Sequence, residues 1–165
     1  NLQFDMLAAI NRKIVDPIAD RYSFVREPVK IDVVNAPMIK EVEIKIHPDK
    51  KEKKKISVKD IYISGEDYKK FMGKEVRLLH LYNINLTDKK ASVSSIDIKD
   101  IPKINWVSEG IKARVLMPDG KWAEGLVEPG AKKLKKDAIV QFERFGFVRY
   151  DGVHNKIPEF WFAHT

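Results

Sequence analysis

The strongest constraint on the fold is an alternation of apolar and polar residues that recurs in short segments after about residue 23. A period of two is typical of β-strands, whose successive side chains point to opposite faces. Turn residues such as Pro118-Asp119-Gly120 and Asp151-Gly152 separate several of the segments. So many short strands predict closed or sandwich-like β structure. The segments are 31–36, 41–46, 60–64, 76–86, 92–98, 104–108, 111–117, 122–128, 138–144, 147–150 and 160–163.

The beginning of the chain has a different spacing, which is typical of a helix. Pro17 should end or bend this helix, because proline lacks the amide hydrogen that a helix interior needs. The chain also begins without a methionine. We therefore expect residues 1–20 to be the end of a helical domain, and the chain to be a fragment of a longer protein. The apolar residues with helical spacing are Phe4, Leu7, Ala8, Ile14 and Ile18.

Basic residues outnumber acidic ones, 31 against 24, which gives a formal net charge of +7. Lysine supplies 24 of the basic residues and arginine only 7. A lysine-rich surface serves solubility, whereas a basic surface also favours a polyanion such as nucleic acid. Two lysine clusters, at 49–55 and 132–136, have the same two interpretations: solvated surface or contact with phosphate groups. Composition leaves both interpretations open.

The sequence has no motif that is typical of catalysis or of metal binding. It contains no cysteine, which excludes disulfides and thiolate metal sites. No nucleophile turn, P-loop or dinucleotide-binding loop is present, and no apolar run is long enough to span a bilayer. We therefore expect no catalytic residue, no metal site and no membrane partner, in a soluble protein of the cytoplasm. Four histidines lie far apart without a partner at ligand spacing: His47, His80, His154 and His164.

The segment VQFERFGF at 140–147 combines groups that can read nucleic-acid bases. On a strand, Gln141 and Glu143 share one face, while Phe142 and Arg144 share the other. Amide, carboxylate and guanidinium groups can hydrogen-bond to base edges, and nearby aromatic rings can stack on unpaired bases. The residues alone leave a second interpretation open, in which the segment is a core strand with an incidental polar face.

Four sequence blocks, which together cover most of the chain, carry a family resemblance. They are NRKIVDPIADRYSFVREPVKIDV (11–33), DIYISGEDYKKFMGKEVRLLHLYNI (60–84), PKINWVSEGIKARV (102–115) and VQFERFGFVRYD (140–151). In this order they resemble the C-terminal, anticodon-binding part of glutamyl- and glutaminyl-tRNA synthetases of the archaeal and eukaryotic type. The ending EFWFAHT (159–165) is more similar to archaeal glutamate enzymes than to glutamine enzymes.

This resemblance implies a mainly β fold, in which two small β-barrels follow a short N-terminal helix and hold the anticodon loop of a tRNA. The first barrel is expected at 21–100 and the second at 101–165, with C-terminal strands able to return to the first. The parent enzyme would attach glutamate to tRNA with ATP and Mg²⁺, in a catalytic domain that these residues lack. The expected partners are that catalytic domain and tRNA for glutamate, with tRNA for glutamine left open. No cofactor is expected in the fragment itself.

The resemblance also implies which residues contact the anticodon. Arg21 and Arg77 match arginines that contact the anticodon loop in the family, and Lys69 falls at a basic base-reading position. The QFER segment matches part of the base pocket. Leu79 departs from the glutamine enzymes, which often have a basic residue there, so base specificity at that position is open. The six implied contact residues are Arg21, Lys69, Arg77, Gln141, Glu143 and Arg144.

Three alternatives remain at this point. The chain can be the same region of a glutaminyl-tRNA synthetase, or a ribosomal RNA-binding protein with a related barrel. It can also be a protein-interaction barrel, in which the charge of +7 serves only solubility.

Overall fold

The computed structural model describes residues 6–7, 9–10 and 18–165. Residues 6–7 and 9–10 are helical, and most of the remaining helix predicted over 1–20 lies outside the described residues. The predicted mainly β fold is confirmed, since the described part forms two barrel-like sheets and a separate hairpin. Within the described residues, no helix is both long enough and apolar enough to cross a membrane.

The regular elements are short, as the closely spaced turn residues predict. The strands of the first part are β1 (Arg21–Tyr22), β2 (Phe24–Arg26), β3 (Val29–Val34), β4 (Glu41–Lys45), β5 (Lys53–Ser57), β6 (Ile61–Ile63), β7 (Glu75–Leu78), β8 (Asn83–Leu86) and β9 (Lys90–Ser95). The later strands are β10 (Lys103–Ile104), β11 (Ile111–Leu116), β12 (Trp122–Val127), β13 (Ile139–Phe142), β14 (Gly146–His154) and β15 (Ile157–His164). The helical elements are α1 (Gly65–Lys70) and a 3-10 helix (Pro129–Lys133).

The six-stranded sheet has the order β10-β7-β8-β9-β3-β6 and forms the first barrel. Its two edges approach each other where Tyr62 on β6 forms an isolated bridge with Val107. The amide of each residue donates to the carbonyl of the other, at 2.9 and 3.0 Å. The interior is apolar, with fully buried side chains from most of the strands. These include Ile63, Val76, Leu78, Ile84, Leu86 and Ile104.

The seven-stranded sheet has the order β1-β13-β14-β15-β11-β12-β2 and forms the second barrel. Its two outer strands, β1 and β2, are consecutive in the chain, so one segment closes the sheet on itself. At this closure a Cβ on Gly125 would lie 2.1 Å from the carbonyl oxygen of Val25, which explains why glycine is needed there. Stacked and edge-on aromatic pairs fill the core, with ring centroids 5.0 Å apart for Phe24 and Phe142 and 4.8 Å apart for Phe142 and Phe160.

The two sheets exchange strands across residue 100. The N-terminal strands β1 and β2 pair in the seven-stranded sheet, while β10 pairs with β7 in the six-stranded sheet. The C-terminal strand β15 pairs with β14 and β11 in the seven-stranded sheet. The division into domains at 21–100 and 101–165 stays a prediction.

The hairpin of β4 and β5 is a separate two-stranded sheet, and its Val42 and Ile56 pack against the core of the first barrel. The amide of Arg21 on β1 donates to the carbonyl of Ile46 at 2.8 Å, so the hairpin lies against the strand that closes the second barrel. The helix α1 begins after Ser64, whose side-chain oxygen accepts from the amide of Asp67 at 3.1 Å. Both elements therefore lie where the barrels meet.

Candidate nucleic-acid interface

The barrels meet along a polar seam formed by contacts between distant parts of the chain. Asn105 donates from its side-chain amide to the carbonyl oxygen of Glu143 at 2.5 Å. The hydroxyl of Ser23 donates to the carbonyl of Trp106 at 2.7 Å, and the Trp106 indole donates to the carbonyl of Leu79 at 2.8 Å. The segment after β10 thus ties both barrels together, and side chains around it line a narrow opening.

We call this opening the inter-barrel crevice. It contains a small cavity of about 30 Å³, roughly the volume of one water molecule. Residues of both barrels and of the β4–β5 hairpin line it, among them Ser23, Lys54, His80, Asn105, Trp106, Glu128 and Glu143.

Three of the residues implied by the resemblance lie together beside the crevice. Strand β1 runs parallel to β13, which pairs Arg21 directly with Gln141. The backbone amide of Glu143, just after β13, donates to the carbonyl of Tyr22 at 3.1 Å. Residues 120 positions apart in the chain are therefore neighbours, because the N-terminal strand closes the second barrel.

Two of these side chains have buried polar atoms without a hydrogen-bond partner in the described part of the chain. They are the Nε of Arg21 and the Oε1 of Gln141. A buried polar group without a partner costs about 1–3 kcal/mol, and native proteins rarely leave such groups unpaired. One is a donor and the other an acceptor. Two residues that line the crevice, Asn105 and Glu128, also have a buried side-chain oxygen without a partner among the described residues.

Arg144 follows the crevice residue Glu143 and is engaged in an ion pair with Asp67. It adopts a positive φ of 61° in the turn between β13 and β14. Its two terminal nitrogens donate to both carboxylate oxygens of Asp67 in α1, at 2.8 and 3.0 Å. These hydrogen bonds raise the pKa of Arg144 above its ordinary value, although burial opposes them. Because Asp67 belongs to the first barrel's helix, this bidentate pair connects the two barrels.

The other two implied residues lie on the first barrel. Arg77 on β7 donates from one terminal nitrogen to the side-chain oxygen of Asn83 at 3.0 Å, and more weakly to the carbonyls of Ile96 and Asp97 at 3.3 and 3.4 Å. Lys69 is exposed in the last turn of α1. The structure therefore brings Arg21, Gln141 and Glu143 together, and places Arg77 and Lys69 elsewhere on the first barrel.

His80 lines the crevice as well, although no role was predicted for it from the sequence. It forms the turn between β7 and β8 with a positive φ of 63°, and the residue is exposed overall although its imidazole is partly desolvated. Burial lowers the pKa of His80, and Lys54, Arg77 and Arg21 act in the same direction, while Glu143 opposes them. This shift favours the neutral imidazole, which can both donate and accept a hydrogen bond.

Comparison with known families decides the kind of protein. Residues 19–105 match a family described as tRNA synthetases class I (E and Q), anti-codon binding domain. Residues 103–151 match a second family of the same description. The first match alone covers more than half of the chain. The chain belongs to this family of anticodon-binding domains. The resemblance seen in the sequence is therefore confirmed.

Similar proteins agree with this assignment. The glutamate–tRNA ligase of Pyrococcus abyssi is 38% identical over 181 residues, which cover 99% of this chain and 31% of that protein. The ligase of Thermococcus kodakarensis is 38% identical over 182 residues, with the same coverages. That of Archaeoglobus fulgidus is 37% identical over 158 residues, covering 92% of this chain and 28% of the relative. The chain thus spans about a third of the length of these relatives.

In this anticodon-binding domain a lysine of the hairpin reaches into the crevice. The Nζ of Lys54 lies 2.7 Å from the Oε1 of Glu128, and also donates to the carbonyl of Arg21 at 2.6 Å. The Lys54 side chain is 19% exposed and that of Glu128 is 4% exposed, so the pair is largely desolvated. Burial raises the pKa of Glu128, while Lys54 and the amide of Ser23 oppose this shift. Lys54 is therefore part of the seam rather than of the solvated lysine cluster.

The remaining lysines of that cluster face outwards. Lys51, Lys53 and Lys55 are exposed, whereas Lys50 pairs with Asp20 at 2.6 Å. In the anticodon-binding domain these exposed charges belong to the same hairpin as Lys54, which lines the crevice. They favour a polyanionic ligand without reading its sequence.

Sequence reasoning missed Lys54, Glu128 and His80 for different reasons. Lys54 is one of five lysines at 49–55, and nothing in that run marks it as the buried member. Glu128 precedes Pro129 and looks like part of a turn. His80 had one signal, its position three residues after Arg77 and next to the family departure at Leu79.

Proposed function

We propose that this chain recognises the anticodon loop of tRNA for glutamate, as the anticodon-binding region of a glutamate–tRNA ligase. The observation that carries the proposal is the position of Arg21 and Gln141 beside the crevice, each with a buried polar atom that lacks a partner. The relatives quoted above are all named glutamate–tRNA ligases, which favours glutamate over glutamine as the amino acid.

The proposed site has three parts with different roles. Arg21 and Gln141 hydrogen-bond to base edges of an unstacked nucleotide, because their free groups form a donor and acceptor pair. Glu143 contributes a carboxylate, and His80 a neutral imidazole, at the crevice. Arg77, Lys69 and the exposed hairpin lysines attract the phosphate backbone. This division separates the groups that specify a base from those that position the RNA.

For Arg144 we propose contact with the anticodon loop together with a positioning role. Its Nη1 and Nη2 groups bind Asp67, so its pair holds α1 of the first barrel against the turn of the second. By fixing the angle between the barrels, this ion pair keeps the width of the crevice constant. RNA contact by Arg144 would use the remaining donors of the guanidinium.

In the whole enzyme we propose that ATP and Mg²⁺ act in a separate catalytic region of the same chain, in the cytoplasm. Acceptance of tRNA for glutamine is a further proposal for the same crevice, and it depends on the third anticodon position, where the two anticodon sets differ.

The test is the affinity of this chain for two tRNA transcripts that differ only in the anticodon. A labelled glutamate tRNA and a copy with an unrelated anticodon are titrated with protein at 50 and 200 mM salt, and binding is followed by fluorescence anisotropy. We expect both to lose affinity with salt, since phosphate contacts release counterions, while the cognate transcript stays the tighter ligand. Equal affinity of the two transcripts at both salt concentrations would contradict anticodon recognition.

Replacing His80 with alanine should reduce the preference for the cognate anticodon by about two- to tenfold, because one neutral hydrogen bond contributes about 0.5–1.5 kcal/mol. The measurement is the ratio of the two transcript affinities. His154→Ala removes the same kind of side chain outside the crevice and should leave that ratio unchanged. An unchanged ratio in His80→Ala as well would remove His80 from the proposed site.

A further inference from the structure

The end of the β14–β15 hairpin gathers three side chains with metal-binding atoms, none of which lines the crevice. They are Asp151, His154 and Glu159, and one ligand atom of each lies within 4.8 Å of the others. The sequence predicted no metal site, because the four histidines lie far apart and none has another histidine at i+4. A hairpin, however, can join ligands that such spacing does not reveal.

A β-bulge explains why these side chains converge. Tyr150 pairs with Phe160 and Val153 with Pro158, so two residues of β14 lie opposite the single residue Glu159. On a regular strand, positions three apart point to opposite faces, and the extra residue reverses this. Gly152, with a φ of +91°, provides the conformation that the bulge needs. Asp151 and His154 therefore face the same side, with Glu159 between them.

The distances between the ligand atoms lie on either side of those expected around a shared ion, so small side-chain shifts would bring all three atoms into range. The Nε2 of His154 lies 3.2 Å from the Oδ2 of Asp151 and 3.9 Å from the Oε1 of Glu159. Bond lengths of about 2.0–2.2 Å in a tetrahedral arrangement would place ligand atoms about 3.3–3.6 Å apart. The same Nε2 also forms a hydrogen bond with the carbonyl oxygen of Asp151 at 3.0 Å, and a bound ion would replace this contact.

Two arginines hold the carboxylates in place from outside. The Nε of Arg114 donates to the Oε2 of Glu159 at 2.6 Å, and Arg149 lies 3.4 Å from the Oδ1 of Asp151. Each arginine contacts the oxygen that faces away from His154, so the inner oxygens stay directed at the imidazole. The side chains of Asp151 and Glu159 are 19% and 8% exposed, unlike ordinary solvated surface acids. Such outer contacts orient ligands in protein metal sites.

We propose that Asp151, His154 and Glu159 form a binding site for a divalent transition metal ion, for which Zn²⁺ is the probe. Imidazole with carboxylate ligands suits Zn²⁺, and the half-exposed His154 leaves room for water as a further ligand. A bound ion would join the two strands near their turn. The site is independent of tRNA recognition, since none of its residues lines the crevice.

Isothermal titration of the chain with ZnCl₂ tests the proposal. We expect saturable binding of one ion, and a loss of affinity of about tenfold or more in His154→Ala and Asp151→Asn, because even outer contacts to metal ligands typically contribute 10–100-fold. Asp137→Asn is the matched control. Asp137 also pairs with Arg149, but it lies outside the cluster, so its replacement should leave Zn²⁺ affinity unchanged.

A second measurement separates this site from adventitious binding at other histidines. In NMR spectra, Zn²⁺ should shift the imidazole resonances of His154 at lower metal concentration than those of His80 or His164. Absence of saturable heat, or equal Zn²⁺ affinity of His154→Ala and the unaltered chain, would overturn the proposal. Neither result would affect the anticodon experiment, because that experiment needs no added transition metal.

Discussion

Replacing Lys54 with methionine is expected to lower the free energy of unfolding by about 3–5 kcal/mol, the typical effect of breaking a buried ion pair from one side. The substitution keeps the aliphatic part of the side chain but removes the ammonium that lies 2.7 Å from Glu128. The carboxylate then stays buried without its cation. Urea denaturation measures the effect as a lower midpoint with an unchanged slope.

The loss of stability in Lys54→Met should depend on pH. Burial already raises the pKa of Glu128, and removal of Lys54 takes away the largest opposing effect. A carboxyl group whose folded-state pKa is raised binds its proton more tightly when folded. Protonation of this group then stabilises the folded state at acid pH, and the stabilisation is lost as pH rises through the raised pKa. The Lys54→Met defect should therefore be largest at neutral pH and shrink on acidification.

Two variants control this prediction. Lys51→Met removes an exposed lysine of the same hairpin and should change stability by no more than about 0.5 kcal/mol. Lys54→Met combined with Glu128→Leu removes both charges and should recover much of the loss, since no charge is left buried alone. If the urea midpoint of Lys54→Met equalled that of Lys51→Met, the Lys54–Glu128 pair would contribute nothing to stability.

Replacing Arg21 with alanine is expected to weaken binding of the cognate tRNA by about 1–3 kcal/mol, or roughly five- to 150-fold, the range for loss of a base-reading arginine. The physical reason is the loss of the guanidinium whose Nε is buried beside Gln141 without a partner in the described chain. The backbone carbonyl of Arg21 still accepts from Lys54, so the seam keeps this hydrogen bond. Anisotropy titration measures the change.

Arg26→Ala is the matched control, because it removes the same charge from the neighbouring strand β2, where the side chain is exposed. It should weaken cognate and altered tRNA alike and reduce the dependence on salt, as expected for a phosphate contact. A thermal unfolding curve for each variant shows that the affinity was measured on folded protein.

The sequence predicted the fold well where alternation is regular. The segment EVEIKI at 41–46 became β4 (Glu41–Lys45), because its charged and apolar residues alternate on a half-exposed hairpin. The segment 76–86, which looked like one strand, is instead two strands joined by a turn at His80. A histidine with positive φ gives no turn signal, unlike the Asn-Gly or Gly residues that usually mark such positions.

The site was harder to predict than the strands. The pairing of Arg21 with Gln141 depends on the N-terminal strand closing the C-terminal barrel, a contact between residues 120 positions apart. Similarly, the run of lysines at 49–55 does not indicate that β5 begins at Lys53 or that the side chain of Lys54 points inward. Residue types and spacing carry no information about which lysine is buried, because that depends on Glu128 in the other barrel.

A thermodynamic cycle can show whether the crevice recognises a base of the anticodon. Affinities are measured for the unaltered chain and for Arg21→Ala, each with the cognate tRNA and with a transcript changed at one anticodon base. We predict that Arg21→Ala weakens the cognate complex but not the altered one, with a coupling energy of about 0.5–3 kcal/mol for one anticodon position. An equal loss for every anticodon would contradict the claim, because Arg21 would then act only on the phosphate backbone.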